Sequence, residues 1–156
     1  LNFPLWGAMG GAAMVGLGLA FARPERRVLV LTGDGEALMG LTAFSTIGAA
    51  APTNLAIAVL DNERYGETGM QVTNTASVDG GPATDLEAVA AACGFPATTT
   101  ARSTDDMAEA VNLMRVVSGP TLGVFKISAH VPPQVVPSRD GVHLVERFRA
   151  ALGVSP

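Results

Sequence analysis

The junction between the apolar run Val28–Leu31 and the tripeptide Gly33-Asp34-Gly35 constrains the fold more than any other part of this sequence. A short apolar run closed by a glycine turn predicts a fully buried strand over residues 28–32. Such a strand places one carboxylate, Asp34, at the carboxyl end of a sheet, where open α/β folds bind ligands. The flanking glycines let a phosphate group approach the backbone closely. The junction therefore predicts an α/β domain with a phosphate-binding turn.

A second apolar run, residues 55–60, ends in Asp61-Asn62, and 26 residues separate Gly35 from Asn62. The carboxyl ends of parallel strands meet at one edge of a sheet, so Asn62 offers an amide oxygen close to Asp34. Oxygen ligands of these two kinds suit Mg²⁺, which completes its shell with water and substrate phosphate. A lone Gly-Asp-Gly is more often a helix N-cap or a turn, and an Asn after a strand is an ordinary turn residue.

The rest of the chain alternates between helical and strand-like patterns. A glycine- and alanine-rich apolar stretch predicts a first helix within residues 1–22, and Pro52 ends a second helix over 37–51. Residues 62–82 are rich in Gly, Thr, Asn and Ser, which predicts a long loop at the ligand edge. Further elements are predicted as helix 85–93, strand 97–101, helix 104–117 capped by Ser103 or Thr104, strand 121–127 and a last helix over about 140–152. This order predicts one domain over 1–156: a three-layer α/β sandwich with a predominantly parallel sheet and helices on both faces.

Composition narrows the classes of function. Charged residues make up 15% of the 156 residues and the net charge is −4, which provides no basic face for nucleic acid and indicates large buried interfaces. A single cysteine, Cys93, excludes a disulfide framework and a thiolate metal site, and a cytoplasmic location is the expectation. The uncharged residues 1–22 resemble a signal peptide or membrane span, but their small residues favour a helix buried in protein, with a paired transmembrane helix as the rival.

The segment from Gly7 to Gln71 resembles the diphosphate-binding domain of thiamine diphosphate enzymes, in their decarboxylase and carboligase branch. The resemblance rests on Gly33-Asp34-Gly35, on Asn62 at the family's spacing, and on residues 61–69, DNERYGETG, which are similar to the family's DNxxYGxTG. It implies the thiamine diphosphate-binding fold, with thiamine diphosphate and Mg²⁺ as cofactors.

The resemblance also implies a set of ligands. Asp34, Asn62 and the backbone carbonyl of Arg64 would hold the metal, while Gly35 and Glu36 would present backbone N–H groups to the diphosphate. Many relatives have Ser or Ala at position 36, so the Glu36 carboxylate is expected to point away, as an acidic first-turn residue with a backbone role only. The other cofactor-binding candidates are Gly33, Tyr65, Gly66 and Thr68; Gln71 joins Thr68 as a candidate polar contact, with solvated loop residues as an equal alternative.

Gly7-Ala8-Met9-Gly10 resembles the family segment that holds the aminopyrimidine ring. By that resemblance Gly7 offers its carbonyl and Met9 its N–H to the ring, and the Met9 side chain wedges between the two rings of the cofactor. Without the resemblance, a Met among Gly and Ala is ordinary core packing. His130 and His143 match no motif and are expected to be surface residues.

The family's activating glutamate belongs to a pyrimidine-binding domain, and the sequence predicts no such domain within residues 1–156. The resemblance therefore implies a split enzyme: the β subunit of a sulfopyruvate or phosphonopyruvate decarboxylase, with an α subunit carrying that glutamate in an α₂β₂ or larger assembly. The substrate would be a 2-oxo acid with a second acidic group. Arg64 is the only nearby candidate cation for that group, and the sequence does not place Arg102 or Arg139.

Three rivals remain. One is a carboligase or lyase of the acetolactate synthase or benzaldehyde lyase type, acting on an aldehyde. Another is a subunit of a 2-oxo acid ferredoxin oxidoreductase. That class of enzyme needs an iron–sulfur cluster, and Cys93 alone cannot ligate one. The third is a non-catalytic regulatory or nucleotide-binding module. The sequence contains neither of the phosphate-binding motifs GxGxxG and GxxxxGK[ST] that nicotinamide- and P-loop-type modules use.

Overall fold

The structure is a computed structural model that describes residues 1–131 and 133–154. The chain groups into two compact units. The larger unit is Met9–Ala129, and the smaller unit combines Leu1–Ala8 with His130–Pro156. The prediction of a single domain over the whole chain stays a prediction.

The larger unit alternates helices and strands along the chain. In chain order its elements are α1 (Ala12–Ala22), β1 (Val28–Gly33), α2 (Asp34–Met39), α3 (Thr42–Ala50), β2 (Leu55–Asp61), β3 (Arg64–Tyr65), β4 (Gln71–Val72), α4 (Leu86–Ala92), β5 (Ala97–Ala101), α5 (Thr104–Val116) and β6 (Thr121–Lys126).

Four of these strands form a parallel sheet in the order β1-β2-β6-β5. The first pairing runs from Val28 with Leu55 to Gly33 with Leu60, and β2 reaches Asp61 opposite Lys126 of β6. All four strands therefore end at the same edge, which carries the Gly-Asp-Gly turn. The predicted parallel α/β architecture is confirmed.

Helices cover both faces of the sheet because side chains of each strand alternate between them. On one face, a Cβ at Gly16 of α1 would lie 2.2 Å from the Val30 side chain, so the small residues of α1 allow close packing. The helix α4 lies on the same face. On the other face, α5 packs its Ala110 and Met114 into a buried cluster that also contains Ala56, Ala58, Ala101 and Phe125.

The strand β1 departs from the prediction of full burial. Its side chains alternate, and Leu29 and Leu31 are 62% and 63% exposed. The cause is topological: β1 is the edge strand, and α5 packs over β5 and β6 at the far side of the same face. A continuous apolar run predicts two covered faces, but coverage depends on which helix crosses which strand.

The helix predicted over 37–51 is divided in two. The helix α2 begins at Asp34 itself and ends before Gly40, and α3 begins at Thr42. Gly40 lies against the backbone of Gly10, where a Cβ would stand 2.1 Å from the Gly10 carbonyl oxygen. The break therefore accommodates a close approach between two backbone segments. The predicted loop 62–82 likewise contains the short antiparallel pair β3-β4.

The predicted helix starts are supported by caps. Ser103 accepts a hydrogen bond from the Asp106 N–H, and the Asp106 carboxylate accepts one from the Ser103 N–H, which completes a capping box at α5. The same carboxylate also accepts the Arg102 N–H, and these contacts lower the pKa of Asp106. Asp85 caps α4 in the simpler form.

The smaller unit holds one helix, α6 (Gly141–Ala151), with Asp140 as its N-cap. Phe3 packs on Phe148 with ring centroids 5.1 Å apart, and the Trp6 indole N–H donates to the Ser138 carbonyl. In the part of the chain that the structure describes, no helix is long and apolar enough to cross a membrane.

Candidate functional site at the carboxyl edge of the sheet

Asp34 and Asp61 leave the sheet side by side. Gly33 of β1 pairs with Leu60 of β2, so the next residue of each strand carries its carboxylate to the same edge. Both side chains are almost fully buried, with 1% and 2% of their surface exposed. Two buried carboxylates need hydrogen-bond donors or cations, because an unpaired buried charge is costly.

Two threonine hydroxyls from the segment after β4 satisfy part of that need. The Thr73 hydroxyl donates to Asp34 Oδ2 at 2.6 Å. The Thr75 hydroxyl lies 2.9 Å from Asp61 Oδ1 and 3.2 Å from Asp34 Oδ2, and 2.9 Å from the Thr73 hydroxyl. Both threonines are buried, so the pair forms a hydroxyl bridge between the two carboxylates.

Lys126 compensates the charge of Asp61. Its ammonium lies 2.8 Å from Asp61 Oδ2 and 3.0 Å from Glu63 Oε1. Burial by itself lowers the pKa of Lys126, but the hydrogen bonds and charges of the two carboxylates outweigh it and raise that pKa above the usual 10.5. Lys126 is therefore the cation for Asp61. Asp34, in contrast, has hydroxyl partners rather than a charged one.

Asn62 and Arg64 form a tight turn after β2. The Asn62 side-chain oxygen accepts the Arg64 N–H at 3.0 Å, and Glu63 between them has a left-handed φ of 61°. The Asn62 amide is thereby oriented by the backbone, and one lone pair of its oxygen remains available. The structure brings Asn62 to the sheet edge that carries Asp34, as the spacing predicts.

The residues at this edge fit an oxygen-bound divalent cation. The Thr73 and Thr75 hydroxyls both lie on Asp34 Oδ2, so Oδ1 is the oxygen of this carboxylate that a cation could bind. The donors are carboxylate, amide and backbone carbonyl oxygens, which match Mg²⁺ rather than zinc. Residues 1–131 and 133–154 contain no cluster of three or more His, Cys, Asp or Glu that could hold a metal.

The two glycines of the turn differ in what surrounds them. A Cβ on Gly35 would lie 2.5 Å from the Tyr65 ring, so Gly35 allows that ring to pack directly on α2. A Cβ on Gly33 would make only an ordinary contact, 3.9 Å from the Leu60 carbonyl oxygen, so packing does not require a glycine at this position. Tyr65 is a packing residue of this turn.

Glu36 does not point into solvent. Its Oε1 accepts the N–H groups of Gly10 and Ala12, both at 2.9 Å, and its Oε2 accepts the Thr32 hydroxyl at 2.6 Å. The Glu36 carboxylate therefore faces the start of α1. It does not share the Thr73 and Thr75 hydroxyls that contact Asp34. The expected first-turn position in α2 is correct, but the side chain serves a different helix.

Met9 is placed differently from a core residue. Its side chain is 67% exposed and its backbone has a left-handed φ of 42°. An exposed methionine on a strained turn contradicts the core-packing alternative and fits a side chain that contacts a ligand. Gly7 belongs to the smaller unit and has a φ of 63°, with open space where a Cβ would be.

The remaining candidates lie on exposed loop positions or in the smaller unit. Thr68 and Gln71 are exposed and hydrogen-bond to each other, and a Cβ on Gly66 would meet no neighbour within 4 Å. His143 lies in the smaller unit and lines a cavity of about 410 Å³. That cavity is bounded by Asn2, Phe3, Pro4, Pro137, Ser138, His143, Leu144 and Arg147.

A second cavity, of about 310 Å³, opens beside the hydroxyl bridge in the larger unit. Neither Asp34 nor Asn62 lines it. Its wall is polar and contains both signs of charge, and is formed by Asp61, Glu63, Thr75, Ser77, Ala83, Thr84, Asp85, Leu86, Thr100, Arg102, Val124 and Lys126.

With this geometry in place, comparison with protein families gives one decisive match. Residues 1–123 match the family described as "Thiamine pyrophosphate enzyme, C-terminal TPP binding domain". The chain belongs to this thiamine pyrophosphate enzyme family. The match covers β1, the Gly-Asp-Gly turn and Asn62, which are the elements that form the buried edge.

Several curated members of the family are similar to this chain. A phosphonopyruvate decarboxylase of Streptomyces viridochromogenes is 41% identical over 160 residues, covering 99% of this chain and 38% of the relative. The sulfopyruvate decarboxylase subunit beta of Methanothermobacter thermautotrophicus is 38% identical over 153 residues, covering 94% of this chain and 73% of the relative. The corresponding subunit of Methanocaldococcus jannaschii is 44% identical over 99 residues, covering 64% and 50%. The chain thus spans 38% of the Streptomyces relative and half of the Methanocaldococcus one.

Solved structures agree on the fold. A thiamine diphosphate-dependent 4-hydroxybenzoylformate decarboxylase of Rhodococcus jostii superposes with a TM-score of 0.64 at 23% identity, over 78% of this chain and 24% of that one. A thiamin diphosphate-dependent enzyme from Mycobacterium smegmatis gives a TM-score of 0.65 at 24% identity, over 80% and 23%. The thiamine diphosphate-binding fold expected for the family is confirmed.

Four members of this site were not predicted from the sequence: Thr73, Thr75, Lys126 and the side chain of Glu36. Thr73 and Thr75 carried no local signal, because the residues after β4 form a turn rather than an extended strand. Lys126 at the end of an apolar strand was a usable signal, since a cation there indicates a carboxylate nearby.

Proposed function

We propose that this chain is the diphosphate- and Mg²⁺-binding subunit of a thiamine diphosphate-dependent 2-oxo acid decarboxylase of the sulfopyruvate or phosphonopyruvate type. The observation that carries the proposal is the state of Asp34. Its carboxylate is buried at the sheet edge beside Asp61, and the Thr73 and Thr75 hydroxyls both lie on one of its oxygens, Oδ2. Such an arrangement is stable when a cation binds the remaining oxygen.

The residues of this edge divide the work of holding the cofactor. Asp34, Asn62 and the Arg64 carbonyl would ligate Mg²⁺, and the Gly35 and Glu36 N–H groups would bind the diphosphate. The exposed Met9 side chain would pack against the cofactor's rings. When bound, thiamine diphosphate supplies the carbanion that adds to the substrate's carbonyl and accepts the electrons released with CO₂. The chain's own part is binding and orientation.

A partner chain is part of the proposal. Several relatives are named as beta subunits, which supports an α subunit that carries the pyrimidine-binding domain and the activating glutamate. We propose an α₂β₂ or larger assembly in the cytoplasm. Exposed apolar side chains of α1, namely Met14, Val15 and Phe21, are consistent with such an interface.

The substrate class follows from the names of the relatives, which are decarboxylases of phosphonopyruvate and sulfopyruvate. Both are 2-oxo acids with a second acidic group. Among the three arginines considered for that group, Arg64 lies at the proposed metal turn and donates to the Glu63 carbonyl. Arg139 instead stacks over Trp6 in the smaller unit. Arg64 is therefore the first candidate to contact the second acidic group.

The metal assignment is tested with Asp34→Ala and Asp34→Asn. The Asn variant keeps an acceptor for the Thr73 and Thr75 hydroxyls and so preserves the fold. In both variants, the affinity for thiamine diphosphate in the presence of Mg²⁺ should fall by more than roughly 100-fold. Replacing a residue that only supports a metal ligand typically lowers affinity by roughly 10–100-fold. Calorimetric titration with the cofactor and Mg²⁺ measures this, with Asp106→Asn, at the helix cap of α5 and outside both cavities, as the control. Wild-type affinity in folded Asp34→Asn would refute the assignment.

The subunit assignment is tested by adding the partner. The purified chain alone should not release CO₂ from sulfopyruvate or phosphonopyruvate, and activity should appear with a co-expressed chain that carries the pyrimidine-binding domain. Decarboxylation by the single chain would contradict the split site.

A further inference from the structure

The Glu36 carboxylate joins three segments that are distant in sequence. It accepts the N–H groups of Gly10 and Ala12, which precede and begin α1, and the hydroxyl of Thr32 at the end of β1. Glu36 itself lies two residues after Asp34 in α2. One side chain thus connects the proposed diphosphate turn to the turn that carries Met9.

This contact supplies a cap that α1 does not possess by itself. The N-cap of α1 is Gly11, no side chain of the helix caps its first turn, and that turn contains no acidic residue. A carboxylate from another element can satisfy the free N–H groups and the positive end of the helix dipole together. Hydrogen bonds from N–H groups to an ionised carboxylate are stronger than neutral ones.

The turn that Glu36 holds is strained and needs external support. Met9 has a left-handed φ of 42°, which is unfavourable for a non-glycine residue, and Gly10 has a φ of 100°. A backbone contact between Gly10 and Gly40 fixes the turn on its other side. Left-handed residues persist where surrounding contacts hold them, and they concentrate at ligand sites.

We propose that Glu36 is a positioning residue: its carboxylate holds the Met9 turn in register with the Asp34 turn, so that both ends of thiamine diphosphate meet a preformed site. The proposal deepens the proposed function and rests on it, because it takes Met9 to contact the cofactor. It also accounts for an acidic residue beside a diphosphate site: the charge is directed at the N–H groups of α1.

The test measures amide hydrogen exchange by NMR on the full chain. Glu36→Ala should accelerate exchange at Gly10 and Ala12 by about tenfold or more, because both lose a charge-assisted partner. Glu36→Gln keeps an acceptor oxygen in place and should restore most of the protection. Thr32→Val removes only the hydroxyl that orients the carboxylate, and should give a smaller acceleration at the same two amides if the Ala variant folds poorly.

Asp106→Ala is the matched control. Asp106 also accepts two backbone N–H groups at a helix start, those of Arg102 and Ser103. Its replacement should accelerate exchange at Arg102 and Ser103 and leave Gly10 and Ala12 unchanged. Glu36→Ala should show the reverse pattern, which separates a local effect from general destabilisation.

Calorimetric titration with thiamine diphosphate and Mg²⁺ completes the test, using the preparation in which wild type binds the cofactor. Affinity should fall by about tenfold in Glu36→Ala, recover in Glu36→Gln and stay at the wild-type value in Asp106→Ala. Unchanged exchange at Gly10 and Ala12, or faster exchange with unchanged affinity, would overturn the proposal. If wild type binds no cofactor, the proposed function fails by itself, and the exchange data still decide whether Glu36 holds the turn.

Discussion

Replacing Thr75 with Val tests the hydroxyl bridge with little change of shape. Val is close to Thr in volume, so the substitution removes one hydroxyl and leaves the packing nearly intact. That hydroxyl lies between two buried carboxylates, at 2.9 Å from Asp61 Oδ1 and 3.2 Å from Asp34 Oδ2. The perturbation is therefore confined to the bridge.

The magnitude follows from one hydrogen bond to a charged group, because a hydroxyl carries a single proton. Such a bond contributes about 1.5–3 kcal/mol, and the shorter contact, to Asp61, takes the larger share of it. Asp61 keeps Lys126 and the Glu63 N–H, and Asp34 keeps Thr73, so neither carboxylate is left without a partner. Burial of the methyl group that replaces the hydroxyl stabilises the fold by under about 1 kcal/mol. The free energy of unfolding should fall by about 2 kcal/mol.

Urea unfolding followed by circular dichroism measures this change, and thermal unfolding should show a midpoint lower by roughly 4–8 °C. Thr121→Val is a matched control. Thr121 is fully buried, and its hydroxyl has no partner among the described residues. Removing an unsatisfied hydroxyl should leave stability unchanged or raise it.

Equal losses of stability in Thr75→Val and Thr121→Val would contradict a stabilising hydroxyl bridge, because the loss would then come from changing a buried threonine and not from the bridge. A loss confined to Thr75→Val, together with weaker Mg²⁺-dependent cofactor binding, would support it. The Asp34 carboxylate would then depend on its hydroxyl partners for orientation.

Three other predictions follow from neighbouring residues. Gly35→Ala should lower stability because its Cβ would lie 2.5 Å from the Tyr65 ring. Gly33→Ala, whose Cβ would meet its nearest neighbour at 3.9 Å, should unfold at the wild-type midpoint. Equal unfolding midpoints of the two variants would contradict the packing of Tyr65 on α2. Met9→Ala should lower turnover more than cofactor affinity in the assembled enzyme, and unchanged turnover would remove Met9 from the site. Lys126→Met should be less stable than wild type below pH 10.5. Because the pKa of Lys126 is raised in the folded protein, this difference in stability should shrink as the pH rises through that folded pKa. A difference in urea unfolding that stays constant as the pH rises would count against the ion pair.

Much of the architecture was predictable because its signals are local. Alternating apolar runs and caps such as Ser103 depend on residues a few positions apart, and they placed most helices and strands near their observed bounds. The Asp34 turn and the Asn62 turn were found at the same sheet edge because parallel strands share an edge. The division of the helix at Gly40 was missed, since it depends on the distant backbone of Gly10.

The parallel α/β class, the family, and the junction where Asp34 follows a strand could all be predicted from the amino-acid sequence alone. Three features became visible only in the folded chain: the exposure of Leu29 in β1, the bridge of Thr73 and Thr75 between two carboxylates, and the Glu36 cap on a helix other than its own. The difference lies in distance along the chain. Periodicity and capping act between neighbours, whereas the Thr75 to Asp34 and Glu36 to Gly10 contacts span 41 and 26 residues and exist only once the sheet has assembled.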